Sequence, residues 1–178
     1  MYLQEKIENF ARDHPDYEAV FFYDINTEEI VGDELTDHEE NSVNPLSFLE
    51  SHDCENLVCV HNHPPTYVDS IRKWKPLSIN DIFVNASFNT AGVIANDGVN
   101  LYSILRATDN WGTLVSTPPE DFDRIWIETY DLLENEDRKK IEASQMSPRE
   151  YYQEREIFRT NEVFKKYGIS PMKVISLL

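Results

Sequence analysis

Residues 56 to 65 read Asn-Leu-Val-Cys-Val-His-Asn-His-Pro-Pro, and no other stretch constrains the fold as tightly. The run from Asn56 to His61 is mostly apolar, which suits a strand buried in the centre of a sheet. Pro64 and Pro65 end it. The flanking segments supply the rest of a mixed α/β unit. Leu3, Ile7, Phe10 and Ala11 make one helical face over residues 2 to 12, stopped before Pro15. Glu18 to Ile25 is rich in aromatic and β-branched residues and reads as a strand. Asn26-Thr27 turns the chain, and Glu28 to Val31 returns as a second strand ended by Gly32. Residues 33 to 43 are acidic and read as a solvated loop. Asn44-Pro45 opens a short helix to about Ser51, with proline at its first position.

After Pro65 a polar and basic loop is expected up to about Leu77. Ser78 then starts a helix to about Phe88, with Ile79, Ile82, Phe83 and Ala86 on one face. From Gly92 the sequence reads as a hairpin turning at Asn96-Asp97-Gly98. Beyond residue 106 the pattern becomes helical. Thr117-Pro118-Pro119-Glu120 and Ser147-Pro148-Arg149-Glu150 both have the form of a capping box, and each introduces a long helical stretch. The second is expected to stop at Gly168, before Pro171. The expected organisation is an α/β domain over residues 1–106 and a helical hairpin or arm over residues 107–178.

With 178 residues the chain is long enough for one domain with a real core plus such an appendage. Its formal net charge of −17 is concentrated early: residues 1–105 carry 5 basic against 19 acidic residues, a balance of −14. That repels phosphate backbones and disfavours direct nucleic-acid contact. No apolar run reaches the roughly 18 residues of a membrane span, and the N-terminal stretch lacks the form of a signal peptide. The two cysteines, Cys54 and Cys59, read as free thiols of a reducing compartment. Together these point to a cytoplasmic protein. The aromatic residues of the tail, Trp111, Trp126, Tyr130, Tyr151, Tyr152, Phe158, Phe164 and Tyr167, fit packing within the arm, with self-association through the helices as the alternative.

The chemistry is carried by His61 and His63. Side chains two apart at a strand end share a face, so the two imidazoles can converge on one zinc ion. Two histidines leave the site incomplete. Ser78 and Asp81, three apart at a helix start, can face the same point, and Asp81 offers an anionic oxygen ligand. The same spacing is also that of a helix cap, and the two roles are compatible. Asp69 is an alternative third ligand, and His52 a further histidine nearby in sequence. Cys54, Cys59, His61 and His63 together offer a structural zinc site as a competing arrangement, without the spacing of common finger motifs. Glu18, ahead of an apolar run, is either an exposed strand end or a carboxylate that takes a proton from metal-activated water.

The ordered set of Glu18, His61-Asn62-His63-Pro64 and Ser78-x-x-Asp81 resembles the JAB/MPN (JAMM) metallopeptidases, nearest to their bacterial RadC-like branch. The resemblance spans about residues 15 to 105. It implies zinc held by His61, His63 and Asp81, Glu18 as general acid/base and Ser78 as oxyanion stabiliser. It also implies a cytidine-deaminase-like fold, a curved mixed sheet flanked by helices. The implied reaction is zinc-dependent hydrolysis of a peptide or isopeptide bond in a protein or peptide substrate, including conjugates of ubiquitin-like modifiers. Alternatives are a non-catalytic interaction module of the same fold, or a RadC-like protein linked to DNA transactions. The chain departs from the family in the 14 residues between His63 and Ser78, a longer interval than the family's. These carry Tyr67, Arg72, Lys73, Trp74 and Lys75, so the loop either selects substrate or is a solvated surface.

Overall fold

The computed structural model describes residues 3–40, 42–106 and 111–177. Its centre is β3 (Leu57–Asn62), in which every residue is buried. Alternation along this strand divides the core. Val58 and Val60 join Phe21, Ala19 and Phe10 on the face covered by α1 (Leu3–Asp13). Leu57 and Cys59 join Val20, Phe22 and Ile82 on the face covered by α3 (Ile79–Ser87). A strand sandwiched between helices has to be apolar on both sides, which is why its sequence shows no polar alternation.

Around β3 the chain forms a six-stranded mixed sheet in the order β2-β1-β3-β6-β7-β8. Here β1 is Val20–Asp24, β2 Ile30–Leu35, β6 Gly92–Asn96, β7 Asn100–Leu105 and β8 Lys173–Ser176. β3 is antiparallel to β1 and parallel to β6. The parallel pair is joined through α3, as a crossover connection requires. The returning strand is longer than expected and runs through Gly32, whose φ of 73° lets the backbone pass beside Phe48. A Cβ on Gly32 would lie 2.9 Å from the Phe48 ring, so side-chain size as well as backbone conformation restricts this position. α2 (Leu46–Ser51) has Pro45 as its N-cap rather than as its first helical residue.

The loop after His63 and the tail also differ from their expected form. The loop after His63 contains a hairpin of β4 (Thr66–Val68) and β5 (Ile71–Lys73), turning through Asp69 and Ser70, both at positive φ. Two left-handed residues match the twist of a two-residue hairpin. The C-terminal helices do not project as an arm. Val163, Phe164, Tyr167, Ile169 and Met172 belong to the same hydrophobic cluster as Cys59 and Ile82.

These helices are α4 (Gly112–Val115), α5 (Pro119–Trp126), α6 (Leu132–Glu142), α7 (Pro148–Tyr152) and α8 (Glu154–Lys166). A π-helical segment, Ile127–Asp131, joins α5 to α6. Ser147 caps α7 by accepting from the Glu150 amide at 3.1 Å. The hydroxyl of Thr117 instead bonds back to Thr113 O at 2.8 Å, at the end of α4. The stretch after Ser147 is broken at Gln153, whose φ and ψ of −120° and −87° separate α7 from α8. α8 closes where expected: Gly168 has φ 71°, and the amides of Gly168 and Ile169 donate to Lys165 O and Phe164 O. That pair of bonds is a Schellman motif, with buried Ile169 as its apolar contact. The chain then returns to the sheet as β8, a strand the sequence did not announce. Among the described residues, no helix is long and apolar enough to cross a membrane.

Candidate metal centre

His61 extends the Leu57–Cys59 face of β3, so its ring points towards α3 and not towards α1. His63 lies just past the strand end, its amide bonded to Asn96 O at 2.8 Å. The two Nε2 atoms stand 3.1 Å apart. Asp81 comes from the first turn of α3, with Oδ1 3.6 Å from His61 Nε2, which is an ion-pair separation and too long for a hydrogen bond. One ligand atom from each of the three residues lies within 4.8 Å of the others. Donors bound to one tetrahedral zinc at 2.0–2.1 Å stand roughly 3.3 Å apart, so the 3.1 and 3.6 Å edges fit a shared ion.

The orientation of each donor has a local cause. Ser78 and Asp81 form a reciprocal capping box: Ser78 Oγ accepts from the Asp81 amide at 3.2 Å, and Asp81 Oδ2 accepts from the Ser78 amide at 2.6 Å. This occupies Oδ2 and leaves Oδ1 towards His61. The cap also puts Ser78 on the cavity wall, with its hydroxyl proton not used in the cap. His63 Nδ1 is 2.8 Å from Lys75 O. A carbonyl only accepts, so Nδ1 carries the proton and Nε2 presents its lone pair, the arrangement of a metal-ligating histidine.

Glu18 precedes β1 and reaches the same place, with Oε1 3.9 Å from His63 Nε2. Its position depends on Asn62, the residue between the two histidines. Alternation turns Asn62 away from the face that carries His61, and it is fully buried. Its Oδ1 accepts from the Ala19 amide at 2.7 Å, and its Nδ2 donates to His14 O at 2.8 Å and Tyr17 O at 3.0 Å. The segment leading into β1 is thereby tied to the end of β3. The Glu18 carbonyl accepts from Thr36 Oγ1 at 2.9 Å, and its amide donates to Glu39 O at 2.9 Å.

Protonation follows from this packing. Burial pushes the Glu18 carboxyl up to about 7, with Asp81 adding to the rise against His61 and Lys75. Burial, reinforced by His61, brings His63 down to about 4 and keeps it neutral. Burial alone would lower His61, but the Asp81 carboxylate overrides it and holds the ring well above its ordinary value. Burial alone would raise Asp81, yet His61 holds it well below the carboxylate range. A proton kept on His61 by the Asp81 charge and one neutral imidazole make a donor set ready to exchange that proton for a cation.

The other candidates lie elsewhere. Asp69 is exposed in the turn of the β4–β5 hairpin and is not one of the clustered donors. His52 stacks on Phe48 and bonds Phe48 O through Nδ1 at 2.8 Å. Cys54 and Cys59 are buried free thiols; Cys54 Sγ bonds to Leu49 O and His52 O, and Cys59 lines the cavity without joining the cluster.

The cluster lies in a cavity of about 680 Å³. Its walls include residues that sequence reasoning did not place at a site: Trp126 and Tyr130, stacked at 4.5 Å, the second within the π-helical segment, and Glu156 and Thr160 of α8. Glu156 pairs with Lys73 of β5 at 2.5 Å and accepts from the Tyr130 hydroxyl. Aromatic residues at helical spacing look alike in sequence whether they face a core or a cavity. Comparison with protein-family models, with curated proteins and with solved structures gave no match.

Proposed function

We propose that this chain is a zinc-dependent hydrolase of peptide or isopeptide bonds, of the JAB/MPN type and with a cytidine-deaminase-like fold. The observation that carries the proposal is the convergence of His61, His63 and Asp81, with Glu18 beside them, in one cavity. The order of these groups along a mixed α/β sheet supports it further. His61, His63 and Asp81 would hold the ion. Bound zinc supplies a Lewis acid for the substrate carbonyl and makes water acidic enough to be deprotonated near neutral pH.

The remaining work falls to the chain's own side chains. Glu18, with an affinity for protons near neutrality, takes the proton from the attacking water and returns it to the leaving nitrogen. The Ser78 hydroxyl, on the cavity wall, donates to the oxygen that gains charge as the amide carbonyl becomes tetrahedral. The Lys75 carbonyl holds the His63 ring in the orientation that presents Nε2. Trp126, Tyr130 and Lys73 line the space beside the reacting bond.

Metal analysis of the purified protein, with amide hydrolysis measured on a peptide and isopeptide panel, tests this reading. Wild type is expected to carry one zinc, and His61→Ala and Asp81→Ala to lose it. Glu18→Gln is expected to keep the zinc and to lose at least about a hundredfold in hydrolysis, within the range general acid–base catalysis contributes. Zinc retained by both ligand variants, or full activity in Glu18→Gln, removes the basis of the proposal.

A further inference from the structure

The segment from Arg72 to Lys75 reaches the histidines through its backbone. Lys75 O is the acceptor for His63 Nδ1 at 2.8 Å, and the Lys75 amide donates to Asp97 Oδ2 at 3.2 Å. The Arg72 guanidinium also bonds the Asp97 carbonyl. Asp97, in the turn between β6 and β7, is buried although it carries a carboxylate. Its Oδ1 accepts from the amides of Val99 and Asn100 at 2.9 and 2.8 Å, closing the turn. An asparagine has the one oxygen needed for those two bonds. What requires a second oxygen is the pair of donors from outside the turn: the Lys75 amide and the Tyr102 hydroxyl, the latter at 2.8 Å.

We infer that Asp97 is a positioning residue of the metal centre, fixing the Lys75 backbone and, through its carbonyl, the ring of His63. The inference rests on the zinc reading given above. The opposite side of the same segment is held by the C-terminal helices. The Trp74 amide donates to Tyr152 O at 3.0 Å, Gln153 Nε2 donates to Arg72 O at 3.0 Å, and Lys73 pairs with Glu156. The 14 residues between His63 and Ser78 thus deliver a carbonyl to a ligand, clamped between the β6–β7 turn and the tail. Outer-shell partners of this kind change metal affinity by roughly 10- to 100-fold when removed.

Asp97→Asn keeps an oxygen for the turn and aims an amino group at the Lys75 amide. Competition of the full chain against a zinc chelator should show the dissociation constant rising about 10- to 100-fold. Tyr102→Phe removes the other outside donor and spares the path to His63, so its zinc affinity should stay within about twofold of wild type, well short of an outer-shell loss. A merely structural role for Asp97 would move both variants alike, and equal losses in both overturn the inference. So does unchanged affinity in Asp97→Asn. If that variant fails to fold, Arg72→Met decides. It removes a guanidinium whose Nε is buried without a partner among the described residues, and it leaves the carboxylate intact. A rise of about threefold to tenfold in its zinc dissociation constant supports the inference, a partial outer-shell effect; no rise overturns it. Wild type that takes up no zinc is a separate result, and it ends the zinc reading and this inference together.

Discussion

Replacing Asn62 by alanine tests how the two halves of the site are joined. The side chain, itself fully buried, makes three hydrogen bonds, at 2.7, 2.8 and 3.0 Å, all to the backbone of residues 14–19. At about 1 kcal/mol net for each, their loss costs about 3 kcal/mol. That is a large share of the roughly 5–15 kcal/mol by which a domain is stable. With a urea slope of about 2 kcal/mol per molar, the unfolding midpoint should fall by about 1.5 M with the slope unchanged. Because the freed segment carries Glu18, hydrolysis should fall more than the loss of folded protein explains. A destabilisation below about 1 kcal/mol would refute the reasoning, since the segment would then be held by something other than this amide. Asn62→Asp gives a signed check. Its retained oxygen still accepts from Ala19, but the other one faces two carbonyl oxygens in a buried place. The folded state then favours the protonated carboxyl, raising its pKa above the unfolded value of about 3.9. Stability should be nearest to wild type below about pH 4 and should be lost as pH rises, the reverse of an ion-paired carboxylate.

Asp137 is such an ion-paired carboxylate. Burial would raise it, but Arg155 at 2.8 Å, Lys140 at 3.1 Å and Arg159 at 3.0 Å hold it below its ordinary value. Its contribution is therefore present above about pH 4 and lost as pH falls through the lowered folded pKa. Asp137→Asn leaves the fully buried Arg159 without this counter-charge and should cost about 3–5 kcal/mol at pH 7, with the gap to wild type narrowing in acid, read from urea midpoints across pH. Zinc uptake must displace the proton that Asp81 holds on His61, so the apparent zinc affinity should fall about tenfold per pH unit below the raised His61 pKa. Calorimetry in buffers of different ionisation heat should count about one proton released per zinc in that range, and none released would contradict the ion pair.

The sequence reveals the parts of this fold that repeat a strong local rule. β3 is legible because a strand covered on both faces must be apolar throughout, and α3 because Ser78 and Asp81 write a capping box ahead of an amphipathic face. The end of α8 is legible because a Schellman turn favours glycine. What escapes is set by tertiary contact. The β4–β5 turn uses Asp69-Ser70 where a hairpin signal would be Asn-Gly, and the hairpin is held by α7 and α8, over 75 residues away. β8 is exposed along its length and exists because β7 offers it an edge. Within the site, His61, His63 and Asp81 stand out by residue type. Lys75 contributes a carbonyl, which no side-chain motif can register. Asn62 was visible only as the spacer of a His-x-His string, yet its amide joins β1 to β3.

The placement of β8 has a bearing on how the protein is made. β7 is complete at Leu105, but the strand that covers its outer edge begins only at Lys173, after 67 intervening residues. At about 5–20 residues per second on the ribosome, that edge waits roughly 3–13 s for its partner. During this interval the nascent chain presents an open ladder of amides and carbonyls, the template on which neighbouring chains aggregate. Ser103, Tyr102, Leu101 and Asn100 are the residues that β8 later pairs. A nascent-chain binding factor that favours extended, unpaired strands would have that interval in which to engage these four residues.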